Sequence, residues 1–158
     1  NRTTQDMVAR LLSEGLEAGE DLDTLTRRIK TALGTNRSRA QSIARTQTAG
    51  AVNTGRQEGM NHAGVKKKRW VTSGDSEVRR LHRDAGYRYR EGIPVDQPFV
   101  FGGDFLMYPG DPNGSAANII NCRCVQVSVK DDGKGIGENH QFYSYEDMKS
   151  AREKENGS

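Results

Sequence analysis

The stretch Asn118–Val129, NIINCRCVQVSV, decides how the chain is read. From Cys122 the residues alternate, with Cys122, Cys124, Gln126 and Ser128 on one face and Arg123, Val125, Val127 and Val129 on the other. A period of two, rich in β-branched valine, predicts a β-strand. The stretch also holds both cysteines of the chain. Two residues apart on a strand, their Cα atoms lie ~6.6 Å apart and their thiols run parallel, at the upper edge of disulfide geometry. An intrachain disulfide is therefore not expected. Parallel thiols can grip a metal ion or pack as small buried groups.

Toward the N-terminus the period changes to that of helices. Residues 4–18 place Met7, Val8, Leu11, Leu12 and Leu16 on one stripe, ended by Gly19. Asp21 caps a second helix with Leu22, Leu25, Ile29 and Leu33 inward, and Gly34 stops it. A third, longer helix is expected from Asn36 to about Asn61, with an inward face of small residues (Ala40, Ile43, Ala44, Ala51, Val52). Its polar residues Arg45, Asn53 and Arg56 are read as a structural network braced by carboxylates of the sheet, such as Asp75. Between helix and strand, KKKRWVTSGD is a short strand and turn. SEVRRLHRDAGYRYR is a helical turn broken at Gly86, followed by a strand with Tyr87 and Tyr89 on one face. Residues 91–121 read as a long loop with four prolines, functional or wrapped on something. After the strand, DDGKGIGEN is a linker and SYEDMKSAREKE a polar peripheral helix with a Ser-x-x-Asp start. GKGIG lacks the Lys-Ser/Thr and framing elements of a phosphate loop.

The expectation is an α+β chain: three N-terminal helices, then a small, mostly antiparallel sheet with long loops, then a peripheral C-terminal helix. The segments are 1–64, 65–130 and 131–158. Leu, Ile, Val and Phe supply 28 of the 158 residues, a thin core that leaves room for stabilisation by a partner or ion. Net charge is +2 over residues 1–64, +4 over 65–130 and −3 over 131–158, so the middle segment is the one suited to phosphates. No run is long and apolar enough to span a membrane, and no signal peptide opens the chain. Two cysteines are not a secreted disulfide framework, so synthesis in a reducing cytoplasm is expected.

RAQSIARTQTAGAVNTGRQEGM (39–60), KKKRWVTSGDSEVRRLHRDAGY (66–87) and PFVFGGDFLMYPGDPNGSAANIINCRC (98–124) resemble, in that order, the phage Mu F-like family of minor head, or head morphogenesis, proteins. The likeness covers roughly residues 1–130. It rests on Ala-Arg-Thr, Asn and Arg of the long helix, the Trp strand, the Asp–Arg–His series, a Pro-Phe, a Pro-Gly-Asp-Pro loop and Asn-Cys-Arg-Cys. Two departures stand out: Gln47 where the family often has Glu, and Ile119–Ile120 where many members have His-Pro, which removes one potential ligand. The resemblance implies a low-copy minor capsid component acting with portal, capsid and scaffold proteins. It would be assembled in the bacterial cytoplasm and housed in the head interior. Some relatives touch DNA, and others carry appended toxin domains.

Zinc wants four ligands, commonly Cys and His. The residues available to it are Cys122 and Cys124 with His82 and either Asp75 or Asp84. The bland alternative is two thiols packed in a core and a hydrogen-bonded histidine. The basic run Lys66, Lys67, Lys68 and Arg69, with Arg79, Arg80, Arg83, Arg88 and Arg90 and with Trp70, Tyr87 and Tyr89 nearby, reads as a strand edge for DNA or an acidic partner, or as a solvated edge that blocks aggregation. No catalytic residue stands out. The enzymatic alternative is a packaged toxin or metal-dependent enzyme centred on His82, Asp84, Cys122 and Cys124.

Overall fold

The computed structural model describes residues 2–131, 141 and 143–156. Helix α1 (Arg2–Glu17), α2 (Leu22–Leu33) and α3 (Arg37–His62) lie where the sequence places them, but Leu16 of α1 and Ala51 and Val52 of α3, expected inward, are exposed. The Asp21 carboxylate accepts from Thr24 N–H at 2.8 Å, and the Asn36 side chain accepts from Arg39 N–H at 2.9 Å, satisfying first-turn donors. Gly34 ends α2 at φ 59°, in the left-handed region. Val8, Leu12, Leu25, Ile29, Ala40 and Ala44 close one core, where the alanines of α3 let the other two helices approach closely.

The second half contains β1 (Lys67–Val71), α4 (Arg80–Arg88), β2 (Ile93–Pro94), β3 (Phe99–Phe101), β4 (Asp104–Leu106), α5 (Ala116–Ile119) and β5 (Val125–Val129), with α6 (Tyr145–Asn156) beyond. The sheet is antiparallel, ordered β2-β1-β5, with Trp70 opposite Gln126 and Lys67 opposite both Pro94 and Val129. The architecture is the expected α+β arrangement. Its second core gathers Trp70, Ala85, Tyr89, Ile93, Phe99, Phe101 and Leu106 with both cysteines. Trp70 meets Phe99 and Phe101 edge-on, with ring centroids 5.3 and 5.0 Å apart, a favoured aromatic geometry.

Three local expectations are corrected. The helix does not break at Gly86; α4 runs through it to Arg88, because this glycine lets the helix pass close to Thr72 and Trp70. There is accordingly no strand with Tyr87 and Tyr89 on one face. Tyr89 is buried, its hydroxyl bonded to both N–H and C=O of Val100, while Tyr87 faces solvent. The stretch 91–121 is not structureless. It holds the β3–β4 hairpin, turned at Gly102 and Gly103 with φ 57° and 81°, the double positive φ of a type I′ two-residue turn. Two buried carboxylates wrap the rest. Asp104 accepts from Ser115 N–H and Oγ–H and from Asn118 Nδ2, and Asp111 accepts from Met107 N–H and from Asn113.

The polar C-terminal helix starts as read, with Ser144 and Asp147 exchanging backbone and side-chain bonds. Tyr143 anchors it, pairing with the Gln97 amide through two bonds and meeting Phe105 at 4.9 Å. The linker reading of DDGKGIGEN, including GKGIG, lies outside the described residues apart from Asp131.

Candidate metal centre

Cys122 and Cys124 precede β5 rather than opening it. Asn121 takes φ 56°, a left-handed value that Asn tolerates, and swings the chain from α5 into the strand. Its N–H donates to Thr46 Oγ1 of α3 at 2.9 Å. Arg123 points outward, and both of its terminal nitrogens donate to Asp75, at 2.6 and 2.7 Å. With Arg123 held outside, both thiols turn inward. Each is at most 3% exposed.

His82, on the inner face of α4, meets them there. Its Nδ1 lies 3.7 Å from Cys122 Sγ and 3.5 Å from Cys124 Sγ, and the donor atoms of the three residues all fall within 4.8 Å of one another. The imidazole is wedged edge-on between Trp70 and Phe101, each 5.5 Å away by ring centroid. A cleft of about 20 Å³ reaches the cluster from outside, bordered by Ser73, Glu77, Arg79 and Asn121. It is water-sized. A hydrogen bond from the Cys124 thiol favours the Cys122 thiolate, aided by His82, so Cys122 is held well below the ordinary thiol range despite its burial. Cys124 is pushed up by the same bond, by burial and by the neighbouring negative sulfur. Together they lose one proton easily and keep the other. The trio offers two soft sulfurs and an imidazole nitrogen to one ion, or packs as a thiol–imidazole cluster.

The other sequence-derived residues are placed elsewhere. Asp75, read as a fourth ligand and as a brace for α3, is committed to Arg123, which holds its carboxyl below the usual carboxylate range. Asp84 is exposed and lies 3.9 Å from Arg80. The basic run is not an edge, because β1 is the middle strand of the sheet. Lys66 and Arg69 are exposed, but Lys67 is buried and Lys68 is fully so. Lys68 Nζ donates to Met107 O at 2.6 Å and Gln57 Oε1 at 3.0 Å and lies over the Phe99 ring. Arg79 is tied to the Ile120 carbonyl.

The α3 network uses backbone, not carboxylates. Asn53, fully buried, donates to Cys124 O at 3.1 Å and accepts from Gln126 N–H at 3.0 Å. Arg56 donates to Gln126 O at 3.4 Å. Arg45, half-buried on the same helix, makes no such bond among the described residues. Gln57 and Gln126, which sequence reasoning passed over, complete the junction through a 3.0 Å amide bond. Arg69, Arg83, Arg90 and Tyr87, grouped with the basic run from the sequence, line a cleft of about 400 Å³. The docking of α4, and of the turn after it that carries Arg90, against β1 brings these four side chains together.

Thr46, Asn53 and Arg56 thus latch α3 onto the turn and strand that carry Asn121–Gln126. A profile for the family described as Phage Mu protein F like protein matches residues 6–127, from α1 through β5. The chain belongs to that family. The family is one of phage head morphogenesis proteins. This Mu F-like chain is also similar to the uncharacterized protein YqbB of Bacillus subtilis (strain 168), at 29% identity over 133 residues, 81% of this chain and 43% of that protein. The Mu F-like chain spans less than half the length of that relative. No solved structure matches it. Among its described residues no helix is long and apolar enough to cross a membrane.

Proposed function

We propose that this Mu F-like domain serves phage head assembly as a minor component that docks on portal, capsid or scaffold proteins, assembled in the bacterial cytoplasm and retained in the head interior. The family match across both cores carries this reading. The latch between α3 and the Asn121–Gln126 turn supports it, since Thr46, Asn53 and Arg56 are accounted for by holding the two halves together. The enzymatic alternative has less support. Its Asp84 stands in solvent, and the opening over His82 and the cysteines is far below the ~300 Å³ of a ligand pocket. Co-expression with the portal, capsid and scaffold proteins of a phage that carries it tests the reading. Recovery in purified heads at low, constant copy is expected. Confinement to the soluble fraction in every combination of those proteins would overturn it.

DNA contact is a second reading, favoured by the cleft between β1 and α4. Three arginines surround Tyr87, whose ring is exposed and has the Arg90 guanidinium stacked over it at 4.2 Å. Cationic groups around an exposed ring suit a sequence-insensitive strand of nucleic acid. Replacing Arg69, Arg83 and Arg90 by Gln is expected to weaken binding to single-stranded DNA and lower the salt slope by about 2–3. An unchanged slope rules out this surface.

A further inference from the structure

The structure assigns a zinc-type divalent ion to His82 Nδ1, Cys122 Sγ and Cys124 Sγ, with water as the fourth ligand. The spacing is the first reason. An ion bonded to sulfur at ~2.3 Å and nitrogen at ~2.05 Å with tetrahedral angles holds those two atoms ~3.6 Å apart. The two sulfur–nitrogen distances are 3.7 and 3.5 Å. A hydrogen-bonded cluster explains this symmetry less directly, because Nδ1 either accepts through one in-plane lone pair or donates one proton, and in neither tautomer bonds two sulfurs equally well. A central cation bonds both sulfurs and the nitrogen at once.

Chemistry and access agree with the spacing. Two thiolates and an imidazole select zinc over harder oxygen-seeking ions. An added positive charge also relieves the obstacle to ionising a second thiol beside the first. The three donors are buried, while the cleft that reaches them holds about one water. Asp75 does not complete the set, because Arg123 occupies both of its oxygens. His82 Nε2 is buried without a hydrogen-bond acceptor. A liganding histidine ordinarily gains affinity from such an acceptor, so the site is expected to bind more weakly than an acceptor-supported one. The ion would staple α4 to the turn before β5, in a chain with few large apolar residues.

Titrating the reduced, metal-free chain with Co²⁺ tests this. A thiolate-to-cobalt charge-transfer band with intense tetrahedral d–d bands, saturating at one equivalent and erased by Zn²⁺, is expected. Cys122→Ser or Cys124→Ser should lose most of the band, His82→Ala should shift and weaken it, and Asp75→Asn should leave it intact. Since the cysteine variants could misfold, the unaltered chain supplies a second readout: saturating zinc should raise its Tm by roughly 5 °C, and a chelator should reverse the rise. A wild-type chain with no saturable band and no zinc-dependent Tm would overturn the assignment, as would an undiminished band in the folded double cysteine variant.

Discussion

Lys68 shows how far one residue can depart from its expected place. A lysine in a basic run is normally solvated, yet Lys68 is fully buried under Phe99 with two neutral acceptors. Burial lowers its pKa from 10.5 to about 7, with Asp96 and Asp111 opposing the shift. The unfolded chain therefore binds more protons than the folded one between about pH 7 and 10.5, and stability rises with pH across that window. The slope is at most ~1.4 kcal/mol per pH unit, and the penalty on folding is fully present below the window. The neutral amine keeps two N–H groups, enough for both acceptors. Urea unfolding between pH 7 and 10 should show this rise, and Lys68→Met should remove it relative to wild type. Equal slopes in the two proteins would contradict the buried-amine reading. Asn53 has the complementary role of a neutral side chain satisfying buried backbone. Asn53→Ala leaves Cys124 O and Gln126 N–H without these bonds and should cost about 2–4 kcal/mol in urea unfolding. A loss below 0.5 kcal/mol, on the order of a surface change, would mean the junction is not held there.

Among the elements, the β3–β4 hairpin depends most on local chemistry. Gly102 and Gly103 both adopt positive φ, but only Gly102 is crowded. A Cβ at Gly102 would lie 3.0 Å from Asn118 and from Leu81, whereas one at Gly103 meets nothing within 4 Å. Gly103→Ala is expected to cost about 1 kcal/mol from backbone conformation alone. Gly102→Ala adds a steric term and should cost about 2 kcal/mol or more. Thermal melts of the two variants check the order, and equal losses would assign the whole effect to the backbone. The Gly-Gly turn between Phe-Val-Phe and Asp-Phe-Leu was present in the sequence as a hairpin signal. Surrounded by prolines, its three-residue strands are too short for alternation to stand out. Gly86 carried the opposite ambiguity: a glycine can break a helix or let one pass close to a neighbour, and only the packing of α4 on Thr72 distinguishes these.

At the scale of the whole molecule, two cores share one helix. α3 closes the helical core with Ala40 and Ala44 and grips β5 with Asn53, Arg56 and Gln57. Trp70, the single tryptophan of the chain, reports on the sheet core, and far-UV circular dichroism reports mainly on the helices. Their urea transitions should coincide in the wild type, as for one cooperative unit, and separate when Asn53 and Gln57 are both changed to Ala. Separate transitions already in the wild type would show that the junction does not couple the cores. The positions of α1, α2 and α3, their caps and the period-two stretch through β5 follow from the sequence alone, because near neighbours set helical stripes, cap bonds and alternation. The facing of Cys122 and Cys124 away from Arg123 follows from that same alternation. Tertiary structure decided which face of β5 is covered: the side with Gln126 is buried, and the valines are only half-buried, because Asn53 and Gln57 arrive from α3 with partners for the amide. It likewise decided that β1 lies in the middle of the sheet, that Asp75 pairs with Arg123, and that His82, forty residues before Cys122, reaches both thiols. Those outcomes depend on contacts between residues far apart in the chain, which local propensity does not specify.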